Sequence, residues 1–384
     1  MCNQALWNDS DLKEACRTLG NVLQALGRFE EAVDWHARAV HPQPDRAELF
    51  ASLGRLYAEQ QQWTEAIAAY QQVLRLQPQH AGAYWSLANI YAYQNKPIEE
   101  AECRQQAMKL KPTWSSAQNQ FNLANLLIKQ NRVSEAIEAY RAAIQHQPNF
   151  AIAQHNLGVA LTLQGKDTEA IEAHRRALVL DPHYYEASVG LGKALEKHGQ
   201  TAEAIECYRK AIILKPDGAD ALYALGQLLI QQGAWAEMVT TYRNAIEQAP
   251  EAYWSYYYLG CGLLWQGQTA EAATALRRAI ALNIDTPWAY QHLVRALWQL
   301  QQHPAAIEVA RQQIKKYPNF AWAYGLLGNI LAEQGEMTEV SDLNQKANVL
   351  HGWQQAAEKQ YEFTRDWFTH NIPTWQQCLA SLAH

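Results

Sequence analysis

The sequence lacks the features that mark a secreted, membrane or zinc-binding protein. Its 384 residues contain six scattered cysteines, and no two of them form a Cys-x-x-Cys pair. This spacing argues against a disulfide framework and against a structural zinc site, and it fits a reducing compartment. No apolar run approaches the ~20 residues that span a bilayer, and no signal peptide is visible. We therefore predict a cytoplasmic protein without a membrane partner.

An excess of positive charge is also lacking. The chain has 32 basic and 38 acidic residues, which gives a net charge of −6. A protein that binds nucleic acid non-specifically needs a basic face that displaces counterions from phosphates. The charge balance therefore predicts no nucleic-acid partner.

Motifs that carry catalysis or hold a cofactor are missing as well. There is no phosphate loop, no Gly-x-Ser-x-Gly and no His-Glu-x-x-His. Gly190 and Gly192 make half of a dinucleotide fingerprint, but they fall inside a predicted helix. None of the thirteen histidines lies four residues from another His or Cys. We predict that this chain is not an enzyme and binds neither a cofactor nor a metal.

What the sequence does contain is a repeat, marked by prolines that recur every 34 residues, with one interval of 36 and a last interval of 68, which is twice 34. These prolines are Pro44, Pro78, Pro112, Pro148, Pro182, Pro216, Pro250 and Pro318. Aligning on them defines ten repeats over residues 13–352. The repeats start at Lys13, Ala47, Ala81, Ala117, Ala151, Tyr185, Ala219, Tyr253, Pro287 and Ala321. Residues 1–12 form an N-terminal extension, and residues 353–384 are predicted to be a capping helix or linker.

Each repeat has the pattern of two helices joined by a tight turn. Position 7 is leucine in all ten repeats, and positions 8 and 20 are mostly Gly or Ala, which lets two helices approach closely. Position 15 is Gly in six repeats and Asn in two, and both residues tolerate the left-handed conformation that ends a helix. The proline then stops the second helix. No strand pattern competes, so the sequence predicts an all-α fold.

This pattern resembles the tetratricopeptide repeat (TPR) family. The second repeat carries the matching residues Phe50, Leu53, Gly54, Tyr57, Ala66, Tyr70, Val73 and Pro78. The resemblance implies a right-handed superhelical solenoid of antiparallel helix hairpins, with a C-terminal capping helix. One departure is Glu100, which replaces a helix-packing alanine, so we expect the third hairpin to be loosened or re-registered.

The resemblance also implies that positions 2, 5, 6, 9, 12 and 13 of the first helices line a concave groove; we call these positions the first-helix face. In the C-terminal half this face is aromatic, and large rings with a polar edge are frequent anchors for a protein partner. The candidate contacts are Trp254, Tyr257, Tyr258, Trp265, Trp288, His292, Arg295, Trp298, Trp322 and Asn329. The alternative is that these rings pack between neighbouring repeats.

In the N-terminal half the first-helix face is rich in asparagine, whose carboxamide can both donate to and accept from a peptide backbone. The candidates are Trp85, Asn89, Phe121, Asn122, Asn125, His155 and Asn156. This row resembles the asparagine-lined groove in the repeat arm of nucleocytoplasmic glycosyltransferases. The alternative is a set of solvated helix faces.

We predict that the chain is a non-catalytic bacterial scaffold, which binds a protein or peptide segment in its concave groove. A second hypothesis comes from residues 366–375, which resemble the start of a class I methyltransferase domain. It would make the chain the substrate-recognition arm of a larger methyltransferase or glycosyltransferase. A third hypothesis is self-association, in which exposed end surfaces stack between copies.

Overall fold

The computed structural model describes residues 9–28, 31, 32, 35 and 46–360. The chain divides into two compact lobes, an N-terminal lobe, Met1–Ala204, and a C-terminal lobe, Ile205–His384. Over the described residues the fold is all-α, as predicted. None of the described helices combines the length and the apolarity that crossing a bilayer requires.

The described helices of the N-terminal lobe begin with α1, and from α2 onward they form successive antiparallel pairs. They are α1 (Asp9–Ala25), α2 (Arg46–Glu59), α3 (Trp63–Leu76), α4 (Ala81–Tyr93), α5 (Pro97–Leu110), α6 (Ala117–Lys129), α7 (Val133–His146), α8 (Ala151–Leu163), α9 (Asp167–Leu180) and α10 (Tyr185–Lys197). A 3₁₀ turn at Pro112–Trp114 follows α5. It occupies the stretch where one repeat is two residues longer. The next helix, α11 (Thr201–Leu214), runs across the division between the lobes.

The C-terminal lobe continues the same pairing. Its helices are α12 (Ala219–Gln232), α13 (Trp235–Gln248), α14 (Tyr253–Trp265), α15 (Thr269–Ala281), α16 (Pro287–Gln299), α17 (His303–Lys316), α18 (Ala321–Glu333) and α19 (Val340–Gln360). The last helix passes through Gly352, where the repeat pattern would place proline. Residues 361–384, which complete the predicted capping segment, lie outside the described residues.

The turn inside each hairpin follows the predicted chemistry. Position 15 adopts a left-handed conformation in every repeat, with φ between 54° and 82°. The residues are Gly27, Gln61, Asn95, Asn131, Gly165, Gly199, Gly233, Gly267, Gln301 and Gly335. The prediction from Gly and Asn is confirmed. Gln61 and Gln301 reach the same conformation, although a side chain with a Cβ is disfavoured there.

The core of each hairpin lies between a small residue and a large one. Ala66 and Tyr70, at positions 20 and 24, are both buried, with 0% and 5% exposure. A Cβ added to Gly54 would lie 2.9 Å from the Tyr70 ring. Glycine at position 8 is therefore required here, because the ring of the second helix occupies the space that a side chain would need.

The expectation for Glu100 was wrong. α5 begins at Pro97, the same repeat position at which α7 begins at Val133, so the hairpin is not re-registered. The Glu100 side chain is buried, and its Oε1 atom lies 2.8 Å from Nε of Arg104. Arg104 stands at position 24, where repeats two and four carry tyrosine. An ion pair has thus replaced the usual Ala–Tyr combination within the same packing arrangement.

Candidate functional site

The structure brings two of the predicted asparagines together on α6 and α8. The Oδ1 atom of Asn125 accepts hydrogen bonds from the hydroxyl of Tyr140 at 2.6 Å and from Nδ2 of Asn156 at 3.2 Å. Asn122 is exposed, and its Oδ1 accepts from Nε2 of Gln118 at 2.9 Å. The two hydrogen bonds to the Asn125 oxygen fix the orientation of its amide, so that its Nδ2 group remains available as a donor.

Trp85 and Asn89 on α4 both contact the buried ion pair of the third repeat. The Arg104 guanidinium lies over the Trp85 ring, 5.2 Å from its centroid. Its Nη2 atom is 3.5 Å from Oδ1 of the exposed Asn89. Glu100 therefore holds a planar cation beneath the first-helix face, next to a half-buried tryptophan.

Phe121 and His155 are half-buried and pack into the interior of the lobe. The ring centroid of Phe121 is 5.0 Å from that of Phe150. His155 packs on His174 and Tyr184, at 5.1 Å and 5.2 Å. Both rings pack between repeats, so the alternative of solvated helix faces does not describe them.

His174 packs against His155 in a tight, buried environment. Its side chain is 1% exposed, and a Cβ added to Gly158 or Gly190 would come within 2.7 Å or 2.6 Å of the imidazole. Burial, and to a lesser extent the neighbouring His155, lowers the pKa of His174 to about 3. Burial also lowers the pKa of His155. Both imidazoles are therefore neutral at pH 7.

The sequence analysis missed an apolar feature of this lobe. Ile152, Val159 and Leu163 on α8 are 48%, 40% and 64% exposed. Since they stand seven and four residues apart, they share one face of the helix, at positions 2, 9 and 13 of the repeat. We call them the α8 stripe. In the sequence, exposed aliphatic residues of an apolar helix cannot be told apart from buried core residues except by their positions in the repeat.

In the C-terminal lobe the three tryptophans at position 2 are half-buried, and each packs edge-to-face on an aromatic neighbour. Trp254 contacts Tyr223 at 5.0 Å, and Trp288 contacts Phe320 at 5.2 Å. Trp322 contacts His351 at 6.4 Å. We call Trp254, Trp288 and Trp322 the tryptophan row. Each ring of the row is held in place by edge-to-face packing on its neighbour, and part of its surface stays exposed to solvent.

Tyr257 and Tyr258 were predicted on the surface but lie in the core, with 7% and 0% exposure. A Cβ on Gly226 would lie 2.4 Å from the Tyr258 ring, which shows how closely that ring packs on α12. The Tyr258 hydroxyl accepts a hydrogen bond from Nε2 of Gln227 at 3.0 Å. Burial raises the pKa of Tyr258 well above its ordinary value. Packing between repeats describes these two residues, so we remove them from the candidate surface.

Trp265 is the most exposed of the predicted rings, at 54%. It stacks on Trp235 with a centroid distance of 4.9 Å and an interplanar angle of 9°. The exposed Arg295 lies over the same ring, at 5.8 Å. These contacts form an ordered aromatic rim on the first-helix face.

The other candidates of this lobe occupy mixed environments. Trp298 is half-buried and meets His303 edge-on at 4.1 Å, whereas Asn329 is exposed. His292 contacts Tyr257 at 5.9 Å. Burial, reinforced by Arg295, lowers the pKa of His292 to about 4, so this imidazole is neutral at pH 7.

A cavity of about 490 Å³ adjoins the first ring of the tryptophan row. Its apolar wall includes Tyr253, Trp254 and Leu222, and its rim carries the carboxylates of Asp217 and Glu251. Both acidic side chains are exposed. The cavity is therefore lined by aromatic rings and by two negatively charged carboxylates. Among residues 9–28 and 46–360, no group of three or more His, Cys, Asp or Glu side chains is arranged to hold a metal ion.

Comparison with known families identifies the repeats. Models described as "Tetratricopeptide repeat" match residues 14–41, 121–185, 220–252, 254–283 and 287–330. A model described as "TPR repeat" matches residues 54–95 and 197–233. None of the curated proteins is similar enough to this chain to count as a match.

One solved structure shows the same fold, and two others align over about half of this chain. A chain of the structure described as Naa15/Naa10 bound to HypK-THB aligns with a TM-score of 0.53 and 14% identity, over 88% of this chain and 63% of that chain. The TPR protein YrrB, described as having an unusual peptide-binding site, aligns with a TM-score of 0.39 and 23% identity, over 50% of this chain and 97% of its own. MamA aligns with a TM-score of 0.37 and 23% identity, over 44% of this chain and 92% of its own.

The family matches give no support to a methyltransferase-like segment at residues 366–375. These residues also lie outside those that the structure describes.

Proposed function

This chain is a tetratricopeptide-repeat protein, and from that premise we propose that it is a scaffold whose first-helix faces bind a segment of a partner protein. The repeat fold supports a role in protein interaction. Our proposal is that the binding site is the groove formed by the first-helix faces. In the N-terminal lobe this surface combines the asparagines of α6 and α8 with the α8 stripe. It suits an extended peptide that offers apolar side chains and a free backbone.

The observation that carries the proposal is the exposure of the α8 stripe. Val159 and Leu163 are 40% and 64% exposed on one face of a helix whose other faces are buried. Leaving aliphatic surface in water costs free energy, and covering it contributes roughly 25 cal/mol per Å² of apolar area. A partner that covers the stripe recovers this free energy.

The asparagines add affinity that depends little on the partner's sequence. Since the Asn125 oxygen already accepts two hydrogen bonds, its Nδ2 group is oriented to donate to a peptide carbonyl. Asn122 is exposed on the same helix. A pre-oriented donor loses little side-chain entropy on binding, which favours association.

A displayed library of random peptides tests this proposal. Peptides are selected on the wild-type protein, and their affinities are then measured for the Val159→Asp variant. We expect affinity to fall by about tenfold or more, because the new carboxylate must lose water beneath an apolar contact.

The matched control is Val179→Asp, an exposed valine of α9 in the same lobe. It makes the same chemical change outside the first-helix face, so affinity should stay at the wild-type value. Equal losses in the two variants, or selected peptides that bind both as tightly as wild type, would exclude this surface as the binding site.

A further inference from the structure

The C-terminal lobe carries a second first-helix face, and its chemistry differs from that of the N-terminal lobe. The tryptophan row places one half-buried indole at position 2 of α14, α16 and α18. Asp220, Arg295 and Glu333 are the charged residues on the first-helix face of α12, α14, α16 and α18. The surface is therefore aromatic and close to neutral over three successive helices.

The spacing of neighbouring first helices has a counterpart in one peptide conformation. Adjacent packed helices lie ~8–10 Å apart, and α14 and α16 are adjacent, since the Tyr257 and His292 ring centroids are 5.9 Å apart. A polyproline II helix has three residues per turn and rises ~3.1 Å per residue, so it presents the same side every ~9.3 Å. In an extended strand the same face returns every ~6.8 Å. One proline per turn would therefore meet one tryptophan per repeat.

Rigid rings favour a ligand that is itself rigid. Trp254 and Trp288 are held edge-on by Tyr223 and Phe320, at 5.0 Å and 5.2 Å. Flat aromatic surfaces of this kind accept pyrrolidine rings, and a proline-rich segment loses little conformational entropy on binding. A pre-formed surface that meets a pre-formed ligand has the smallest ordering cost.

The cavity beside Trp254 adds a requirement for charge. Asp217 and Glu251 both stand at position 33 of their repeats, and both line the cavity of about 490 Å³. Neither carboxylate forms an ion pair with another described residue. With Tyr253 and Trp254 as the wall, the cavity offers charge and aromatic faces to a cation, and an arginine side chain fits both.

We propose that the tryptophan row binds a proline-rich segment in the polyproline II conformation, with a basic side chain of that segment in the Asp217–Glu251 cavity. This inference rests on the proposed scaffold function and names the partner chemistry of one of its two surfaces. It assigns the prolines to Trp254, Trp288 and Trp322. It assigns the basic residue to the end of the segment that lies at Trp254.

Fluorescence anisotropy with labelled synthetic peptides tests the proposal on the full chain. The probe has one arginine beside a run of about nine prolines, which spans about three turns, and it is made with the arginine at either end. One comparison peptide carries glutamate in place of arginine. A second has the prolines replaced by Gly and Ser, and a third has them replaced by Ala and Leu to favour a helix.

We expect saturable binding of one arginine–proline probe, with affinity lower by about tenfold for the glutamate peptide and lower still for the Gly/Ser peptide. Trp288→Ala should lower the affinity for the arginine–proline probe by about tenfold or more, whereas Trp63→Ala in the other lobe should leave this affinity unchanged. The exposed pair D217N/E251Q should abolish the preference for arginine over glutamate, without loss of the proline-dependent binding.

Circular dichroism shows whether Trp288→Ala folds, and D217N/E251Q changes only exposed groups. Absence of probe binding, equal binding by Trp288→Ala, or tighter binding of the Ala/Leu peptide would overturn the proposal. Peptides selected from the random library would still bind through the α8 stripe in that case. The failure would therefore not extend to the scaffold function.

Discussion

At the scale of single residues, His174 shows how one substitution of a consensus residue changes the response to pH. It occupies position 24, where repeats two, four, six and seven have tyrosine. Its side chain is buried to 1% exposure, and its pKa is lowered to about 3. The unfolded chain binds a proton near pH 6.5 and the folded chain does not, so acidification favours unfolding.

We predict that stability falls as pH drops from 7 to 5, and that His174→Gln reduces this dependence. Below pH 6.5, a histidine that stays neutral in the folded protein lowers the free energy of unfolding by up to about 1.4 kcal/mol for each pH unit. Urea unfolding at several pH values measures it. His183→Gln makes the same chemical change at an exposed position and serves as the control. The same slope in all three proteins would contradict the prediction.

Gly226 and Gly325 are both glycines in first helices of the C-terminal lobe, but they meet different neighbours. A Cβ at Gly226 would lie 2.4 Å from the buried Tyr258 ring, whereas one at Gly325 would meet its nearest neighbour, Ala347, at 4.0 Å. We predict that Gly226→Ala destabilises the protein by about 1–3 kcal/mol through overpacking.

The matched change, Gly325→Ala, should instead stabilise by up to about 1 kcal/mol, because alanine favours the helix. Thermal or denaturant unfolding gives both values. Two changes of the same sign would show that the Tyr258 contact does not govern Gly226.

The two tyrosines also show what sequence reasoning can reach at a residue. Repeat positions placed Tyr257 and Tyr258 on the first-helix face, but Gly226 on α12, the first helix of the preceding repeat, makes space for the Tyr258 ring. Whether a large ring is buried depends on the residue that faces it, about one repeat away. The pattern within a single repeat does not contain that information, so burial of these rings could not be predicted.

At the scale of helices, the bounds could be predicted well. The left-handed residue at position 15 and the proline after the second helix both act locally, and helix ends follow local chemistry. Glu100 was misread because its partner, Arg104, had to be considered with it. A pairwise replacement is visible in the sequence only when two positions of the repeat are compared together.

The buried pair of α5 is open to a double-mutant test. We predict that Glu100→Ala costs about 3 kcal/mol, because it leaves the half-buried Arg104 guanidinium without its carboxylate. The double change E100A/R104Y restores the Ala–Tyr combination of repeats two and four and should be as stable as wild type or more stable. Additive losses in urea unfolding would contradict this coupling.

From α7 to the start of α19, the second helices are joined by a row of surface ion pairs with one gap. Arg141 pairs with Glu169 and Arg243 with Glu271, each at 2.8 Å and each between successive repeats. Arg277 occupies the corresponding position, but the residue that would face it is Ala305 at the start of α17.

We predict that Ala305→Glu stabilises the protein by about 0.5 kcal/mol at low salt, through the pair with Arg277 and the N-terminal dipole of α17. The gain should shrink as salt is raised. Ala305→Gln has a similar shape without charge and should show no such salt dependence. Equal effects of Glu and Gln in unfolding measured at two salt concentrations would exclude the ion pair.

At the scale of the whole molecule, the repeats present two chemically different first-helix faces, one in each lobe. The face of the N-terminal lobe joins asparagines to the exposed α8 stripe. The face of the C-terminal lobe carries the tryptophan row. Helices of one fold therefore display different chemistry because the exposed positions of this face are less constrained by packing than positions 7, 8 and 20.

The central claim is that a partner segment lies across first helices rather than second helices. Photo-crosslinking measures this directly, with a peptide selected on the wild-type protein and carrying a photoreactive group, followed by mass spectrometry of the joined fragments. The account predicts crosslinks to α6, α8 and α10, including Leu163, at a peptide concentration that saturates binding. Crosslinks concentrated on the second helices, at residues such as Val179 of α9, would contradict it.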